Sequence, residues 1–160
     1  LLEKKSKRKI IGFDAFGKFP KPNRKYKNAK EDIKFAKIHD KKIGTGINIS
    51  SLKRYLKKKK LTNYHLVKGD VLKTLNIYKS KNKALKIALL HLDLDIYEPT
   101  RFVLETLYEN ISKNGIILLD DYQHIKGATL AVNEFLKKNK LKISKVSKYG
   151  RPYFIQKNII

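Results

Sequence analysis

The acidic residues between positions 87 and 121 are the part of this sequence best suited to chemistry. The chain has 160 residues and carries 38 Lys+Arg against 14 Asp+Glu, a net charge of +24. Residues 87–121, called here the acidic island, hold seven acids against Arg101 and Lys113, a net of −5. Asp93 and Asp95 form an Asp-x-Asp string, and Asp120 and Asp121 are adjacent. Because carboxylate oxygens are preferred ligands of Mg²⁺, acids kept against this lysine excess predict a cation site.

The basic residues outside the island allow two interpretations. A basic surface binds nucleic acid by releasing counterions from the phosphate backbone. However, 33 of the 38 basic residues are Lys, whereas base and phosphate recognition favours the planar fork of Arg. A general compositional bias toward lysine is therefore favoured, and nucleic-acid binding is kept as the alternative.

Length and composition exclude several classes of protein. A chain of 160 residues forms one domain of ordinary size, and 41% hydrophobic residues are too many for a disordered chain. The absence of cysteine excludes a disulfide framework and any Cys-based metal or redox site. No apolar run reaches the length of a membrane span, so a cytoplasmic protein is expected.

The elements that must position the acids alternate between strands and helices, which predicts an α/β fold. The predicted strands are 9–13, 64–67, 87–92, 115–119, 142–146 and 153–156, and the predicted helices are 31–38, 52–56, 72–75, 102–108 and 128–138. Strands 87–92 and 115–119 are continuous apolar runs, typical of strands buried on both faces of a parallel sheet. Gly150 separates the last two strands, which predicts an antiparallel hairpin at the sheet edge.

Two helix boundaries carry local signals. Ser50 and Ser51 precede the helix 52–56 and are predicted to begin it. Residues 113–115 end in glycine, and they are predicted to terminate the helix 102–108 as a C-terminal cap.

An acid stands at or just after the end of four predicted strands: Asp14, Asp70, Asp93 and the pair Asp120 and Asp121. Ligands of open α/β sheets bind beyond the carboxyl ends of the strands. Four such acids favour one shared site over four independent helix caps. For any single one of them, capping is an equally good explanation.

Two families with similar acids fit poorly. Phosphatases of the haloacid dehalogenase type need a small residue where this chain has Tyr97, and they need further motifs that one helix between the acidic strands has no room for. Glycosyltransferases hold Mn²⁺ with an Asp-x-Asp string, but they give the pair Asp120 and Asp121 no role.

A third family fits along most of the chain. Its motifs occur in order in residues 12–20, 67–70, 91–100, 115–122 and 127–135. Between about residues 9 and 153 the sequence resembles the macrocin O-methyltransferase (TylF-like) family, class I enzymes that use S-adenosylmethionine and a divalent metal. The resemblance implies a Rossmann-like class I methyltransferase sheet with the C-terminal antiparallel hairpin.

The resemblance also implies roles for the acids. Asp93, Asp120 and Asp121 match the family's metal carboxylates, for Mg²⁺ or another divalent cation, and Asp93 is also the expected general base. Asp14 would bind the ribose hydroxyls of S-adenosylmethionine, and Asp70 would lie near the adenine edge.

The residues around these acids have weaker assignments. The candidates for substrate contact are Tyr97, Tyr122 and His124. For either tyrosine, packing without substrate contact is the alternative. Asp95 suits a helix cap or a supporting position as well as ligation. His91 lies in mid-strand among apolar residues and is expected in the core or behind the site rather than as a base.

The implied activity is methyl transfer to a hydroxyl of a sugar, small polyol or natural product. The metal would bind two neighbouring hydroxyls of the acceptor and lower the pKa of one. The alternatives are a nucleic-acid-binding protein or RNA methyltransferase that uses the lysine-rich surface, and a non-catalytic relative. A homodimer is compatible with the resemblance.

One expected family feature has no counterpart in the sequence. The family begins with a strand and a glycine-rich turn that hold the methionine end of the cofactor at a helix N-terminus. The only Gly-x-Gly, at residues 44–46, follows no predicted strand. Residues 1–160 are therefore expected to be a single but partial methyltransferase domain. The strand expected to be missing lies between those that end at Asp14 and Asp93.

Overall fold

The computed structural model describes residues 8–44, 46–147 and 150–157. Alternating strands and helices occupy most of these ranges, as predicted. The elements are β1 (Ile10–Asp14), α1 (Ala29–Ile43), α2 (Ile49–Lys58), β2 (Tyr64–Lys68), α3 (Val71–Lys81), β3 (Ile87–Leu92), α4 (Tyr97–Leu107), a 3₁₀ turn (Tyr108–Asn110), β4 (Ile111–Leu119), α5 (Lys126–Asn139), β5 (Ser144–Ser147) and β6 (Gly150–Gln156).

The strands form two hydrogen-bonded sheets. Strands β1 and β2 pair in parallel as a two-stranded sheet. The second sheet has the order β3-β4-β6-β5, in which β3 and β4 are parallel and the last two strands are antiparallel. The predicted α/β fold with a C-terminal antiparallel hairpin is confirmed, and β5 lies at the edge of the sheet.

The main core lies where α4 and α5 meet the second sheet. Leu104 of α4, Ile117 and Leu119 of β4, and Val132 of α5 are each at most 2% exposed and belong to one apolar cluster. Removal of this surface from water is the main force that fixes β4 against the helices. The strand ends that carry Asp93 and Asp120 are thereby held on a rigid layer.

Local backbone chemistry moved some predicted helix boundaries. The side chain of Asn48, rather than Ser50 or Ser51, caps α2: its Oδ1 accepts hydrogen bonds from the N–H groups of both serines, at 2.9 and 3.1 Å. Helices α1 and α3 are also longer than predicted, because their lysine-rich last turns carry little apolar periodicity to read.

The predicted cap at residues 113–115 is wrong. These residues lie inside β4, after the helix has already ended in the 3₁₀ turn. The pairing of β3 with β4 is irregular between Ile87 and Leu89. A Cβ on Gly115 would lie 2.7 Å from Ile111 Cγ2 and 2.8 Å from Ser112 O. The glycine therefore permits a close approach within a strand rather than a helix terminus.

Strand β3 is not buried on both faces as its apolar sequence predicted. Ala88, Leu89 and His91 are exposed, so the prediction of a core position for His91 is also wrong. Among the described residues β3 has a strand neighbour only on the β4 side. For this reason some apolar side chains of β3 are not covered by other described residues.

No helix in the described ranges is both long enough and apolar enough to cross a membrane. Thr45, the central residue of the Gly-x-Gly at 44–46, lies outside the described residues.

Candidate functional site

The loop that connects β3 to α4, residues 93–96, carries Asp93 and Asp95 and is called here the acidic loop. Asp95 has a left-handed backbone with φ of 63°, a conformation that Asp tolerates better than most residues. The N–H of Ile96 donates to Leu94 O at 2.6 Å, which tightens the turn. Asp93 is exposed, whereas Asp95 is partly buried.

Asp121 holds the acidic loop from the neighbouring strand end. Its carboxylate is 7% exposed, and its Oδ2 accepts hydrogen bonds from the N–H groups of Leu94 at 3.0 Å and Asp95 at 2.8 Å. The N–H of Asp120 donates to Leu92 O at 3.0 Å, so the carboxyl ends of β3 and β4 meet. Parallel pairing thus brings together acids that are far apart in sequence.

Three of the acids are close enough to share one cation. Asp93, Asp95 and Asp121 each place a carboxylate oxygen within 4.8 Å of the others, and they are called here the carboxylate cluster. Hard oxygen donors at this spacing fit Mg²⁺ or Ca²⁺. The donor set therefore suits the divalent cation that the sequence predicted. The third carboxylate of the cluster is Asp95, whereas the sequence predicted Asp120.

The electrostatics of the carboxylate cluster favour a positive ion. The pKa of Asp95 is raised to about 7, first by burial and then by the negative charges of Asp121, Asp93 and Asp120. Burial also raises the pKa of Asp121, against the opposing effect of its two backbone hydrogen bonds. The neighbouring negative charges make Asp95 and Asp121 harder to ionise, and a bound cation would relieve that repulsion.

Asp120 faces a different partner. Its Oδ2 lies 4.0 Å from Nη1 of Arg151 on β6, and both side chains are nearly half exposed. An ion pair this long and exposed contributes little to stability. Asp120 adds negative charge beside the carboxylate cluster, and its direct ligation of metal stays a prediction.

The two acids assigned to the cofactor lie at the ends of β1 and β2. The N–H of Gly69 donates to Asp14 O at 2.9 Å, which brings these strand ends together. Asp14 is exposed, and its Oδ1 accepts a hydrogen bond from the N–H of Phe16. Asp70 caps α3, since its Oδ1 accepts from Leu72 N at 3.0 Å. Their cofactor roles stay predictions.

The candidate substrate residues are placed differently from one another. Tyr97 is 2% exposed, and its hydroxyl donates to Glu134 Oε2 at 2.6 Å on α5. Tyr122 is 8% exposed and its hydroxyl donates to Asn133 Oδ1 at 2.8 Å. Both tyrosines pack in this structure, whereas His124 is exposed. Substrate contact by any of the three stays a prediction.

Asp32 was missed by the analysis of the sequence. It is 4% exposed on α1, and its Oδ2 accepts a hydrogen bond from Tyr97 N at 3.0 Å, directly after the acidic loop. The only sequence signal is an acid four residues before Ala36, the other buried residue of the helix. A single acid in an apolar stripe does not reveal which partner 65 residues away it meets.

Comparison with known proteins agrees with this architecture. No curated protein sequence matched the chain. Among solved structures, the O-methyltransferase NovP matches with a TM-score of 0.79 and 21% identity, covering 97% of this chain and 62% of NovP. The calicheamicin methyltransferase CalS11 matches with a TM-score of 0.64 and 25% identity, covering 93% of this chain and 60% of CalS11. The likeness to NovP shows the shared fold, and the chain spans about three fifths of the length of either protein.

A family model provides the assignment. The model described as macrocin O-methyltransferase (TylF) matches residues 2–150, nearly the whole chain. The match includes the acidic loop, both cofactor candidates and the pair Asp120 and Asp121. On this evidence the chain belongs to the macrocin O-methyltransferase (TylF) family.

Proposed function

We propose that this chain forms the catalytic core of an S-adenosylmethionine-dependent O-methyltransferase whose acceptor is a hydroxyl of a sugar or a sugar-bearing natural product. The observation that carries the proposal is the family match over residues 2–150. A structure of CalS11 is described as a TDP-rhamnose 3′-O-methyltransferase, which supports a sugar acceptor. The carboxylate cluster at the carboxyl ends of β3 and β4 supplies a site of the expected kind.

Asp93, Asp95 and Asp121 would hold the divalent cation, Mg²⁺ being the ion that the oxygen donors suit. When bound, the cation lowers the pKa of a coordinated acceptor hydroxyl. Asp121 has one oxygen committed to the backbone of the acidic loop and the other free of those two bonds. Asp121 would therefore both hold the acidic loop in shape and contribute a negative charge to the cation site.

Asp93 is the residue best placed to move a proton. Its carboxylate is exposed at the mouth of the cluster, so an acceptor hydroxyl can reach it without rearrangement of the loop. Asp93 would accept the proton of that hydroxyl, which leaves the acceptor oxygen able to take a methyl group. S-adenosylmethionine supplies that activated methyl, and Asp14 would accept hydrogen bonds from its ribose hydroxyls.

The 160 residues would form a single methyltransferase domain that is partial, as the sequence predicted. Support comes from two strand edges: among the described residues β1 pairs with β2 alone and β3 with β4 alone. Leu89, in the middle of β3, is 36% exposed. A further strand between β1 and β3 would join the two sheets and cover apolar surface. Its following turn would complete the cofactor pocket.

Substitutions in the carboxylate cluster test the activity. Asp93→Asn removes the proton acceptor, so kcat is expected to fall by about 10²–10⁴-fold. Asp121→Asn weakens both the cation site and the hydrogen bonds that hold the loop. The assay is methyl transfer from S-adenosylmethionine to a TDP-sugar by the full-length gene product with Mg²⁺, and calorimetry measures Mg²⁺ binding.

Glu109→Gln is the matched control, because it removes one charge from the acidic island at a side chain that is 85% exposed. It should leave methyl transfer and Mg²⁺ binding unchanged. Equal activity of Asp93→Asn and the control would exclude Asp93 as the base. Salt-sensitive RNA binding by all variants alike, without methyl transfer by any, would support the nucleic-acid alternative. The cytoplasmic location and the homodimer stay predictions from the sequence.

A further inference from the structure

Asp32 of α1 is a buried carboxylate with both oxygens engaged. Its Oδ1 accepts a hydrogen bond from Asn28 Nδ2 at 2.8 Å, and its Oδ2 accepts one from Tyr97 N at 3.0 Å. Burial raises its pKa, while these two hydrogen bonds act to lower it. Burial of a carboxylate costs free energy. In this structure the buried carboxylate of Asp32 accepts a hydrogen bond from a backbone N–H of the distant helix α4.

Helix α4 needs such a partner because it lacks a cap of its own. Its N-cap residue is Ile96, which makes no side-chain capping hydrogen bond. The first N–H groups of a helix have no intrahelical acceptor, and they lie at the positive end of the helix dipole. Asp32 supplies both an acceptor and a negative charge to this end from another helix.

The capped helix end is continuous with the acidic loop. On one side, Asp121 holds the N–H groups of Leu94 and Asp95. On another, Asp95 O accepts a hydrogen bond from Ala128 N at 3.2 Å. Asp32 fixes the third side at Tyr97 N. These three contacts surround Asp95, whose φ is positive, and together they hold the acidic loop in its shape.

Gly127, at the start of α5, makes the contact between these elements close. A Cβ on Gly127 would collide with Asp32 Oδ1 and would lie 2.7 Å from Tyr97 N. The absence of a side chain there lets α1, the start of α4 and the start of α5 converge on one carboxylate.

We propose that Asp32 is a positioning residue for the acidic loop, which caps α4 from α1 and so holds Asp93 and Asp95 in the carboxylate cluster. The part of this inference that concerns a bound cation rests on the proposed function. The capping of α4 and the shape of the loop do not.

The test compares Asp32→Ala, Asp32→Asn and the control Glu31→Gln in the purified protein. Glu31 is the exposed neighbour of Asp32 on the same helix turn, so its substitution removes a like charge without touching α4. The first readout is amide hydrogen exchange of residues 94–97 against the core of β4. The second is Mn²⁺ affinity, followed by electron paramagnetic resonance.

Asp32→Ala should speed exchange in residues 94–97 while β4 keeps its protection, and should weaken Mn²⁺ binding by about 10–100-fold, the usual effect of losing a residue that orients metal ligands. Asp32→Asn keeps an acceptor oxygen for Tyr97 N and should restore most of both properties. Glu31→Gln should behave as the unmodified protein.

Unchanged exchange at residues 94–97 in Asp32→Ala would overturn the proposal. So would a uniform loss of protection across β4 and the acidic loop, since that would make Asp32 a general stability residue. If the unmodified protein binds no Mn²⁺ but Asp32→Ala still loosens residues 94–97 alone, the positioning role stands and the proposed metal dependence fails.

Discussion

At the scale of single residues, Asp95 is the acid whose role the sequence left most open. The sequence allowed it a cap, a supporting position or ligation, and its carboxylate lies in the cluster with Asp93 and Asp121. A side chain cannot be assigned from an Asp-x-Asp string alone, because alternate residues of an extended segment point to opposite sides. The positive φ of Asp95 turns the loop and brings both carboxylates to one place.

The raised pKa of Asp95 predicts how pH changes the stability of the ion-free protein. Its pKa rises from 3.8 to about 7 on folding. Between these values the folded chain binds more protons than the unfolded chain, so the free energy of unfolding falls as pH rises through this window. Urea unfolding in EDTA should therefore show that the free energy of unfolding falls more between pH 5 and pH 8 in the unmodified protein than in Asp95→Asn.

Mg²⁺ provides the control for this pH effect. A bound cation favours the ionised form of Asp95, so saturating Mg²⁺ should raise the stability at pH 8 more than at pH 5 in the unmodified protein. The same ion should have a smaller effect on Asp95→Asn. Identical pH dependence of the two proteins in EDTA would show that Asp95 ionises normally.

At the scale of elements, the parts that follow from apolar periodicity were predictable and the parts that depend on distant partners were not. Strands β3 and β4 could be identified from continuous apolar runs that end in acids, and parallel pairing of such strands placed Asp93 near Asp121. The link from Asp32 to Tyr97 crosses 65 residues. It depends on how α1 lies against α4, which no local pattern encodes.

Strand β4 depends on the absence of a side chain at Gly115. Gly115→Ala would place a Cβ 2.7 Å from Ile111 Cγ2, 2.8 Å from Ser112 O and 3.0 Å from Ile87 O. Two of these neighbours are backbone atoms that cannot move without disturbing β4. We expect a loss of about 1–3 kcal/mol in the free energy of unfolding, as for other overpacked sites. Urea unfolding at fixed pH measures it.

Gly17→Ala is the matched control, because the nearest atom to a Cβ there is Ala15 O at an ordinary 3.6 Å. It should change the free energy of unfolding by only a few tenths of a kcal/mol, roughly as expected for a surface site. A loss in Gly115→Ala no larger than in Gly17→Ala would mean that β4 shifts to accept the methyl group. In that case the irregular pairing with β3 would not be fixed by Gly115.

At the scale of the whole molecule, the charge of +24 and the carboxylate cluster have separate roles. A strongly positive surface attracts anions of many kinds and raises their encounter rate. A sugar acceptor that carries phosphate would benefit from this field without any dedicated contact. The local excess of negative charge at the cluster is what would select a cation under the proposed function, so the acidic island rather than the overall charge carries that proposal.

The two open strand edges give the last prediction. On the proposal that the domain is partial, the full-length gene product should bind S-adenosylmethionine in calorimetry, and the 160-residue chain alone should bind it about tenfold more weakly or worse. The reason is that β1, which ends at the proposed cofactor residue Asp14, and β3 each have an edge with no strand partner among the described residues. Mn²⁺ affinity is the internal control. The carboxylate cluster lies wholly within β3, β4 and the loops that follow them, so both proteins should bind Mn²⁺ equally.

Equal affinity for S-adenosylmethionine would show that β1 and β3 already form a complete cofactor site. Loss of Mn²⁺ binding as well would mean that the acidic loop itself needs the two sheets to be joined.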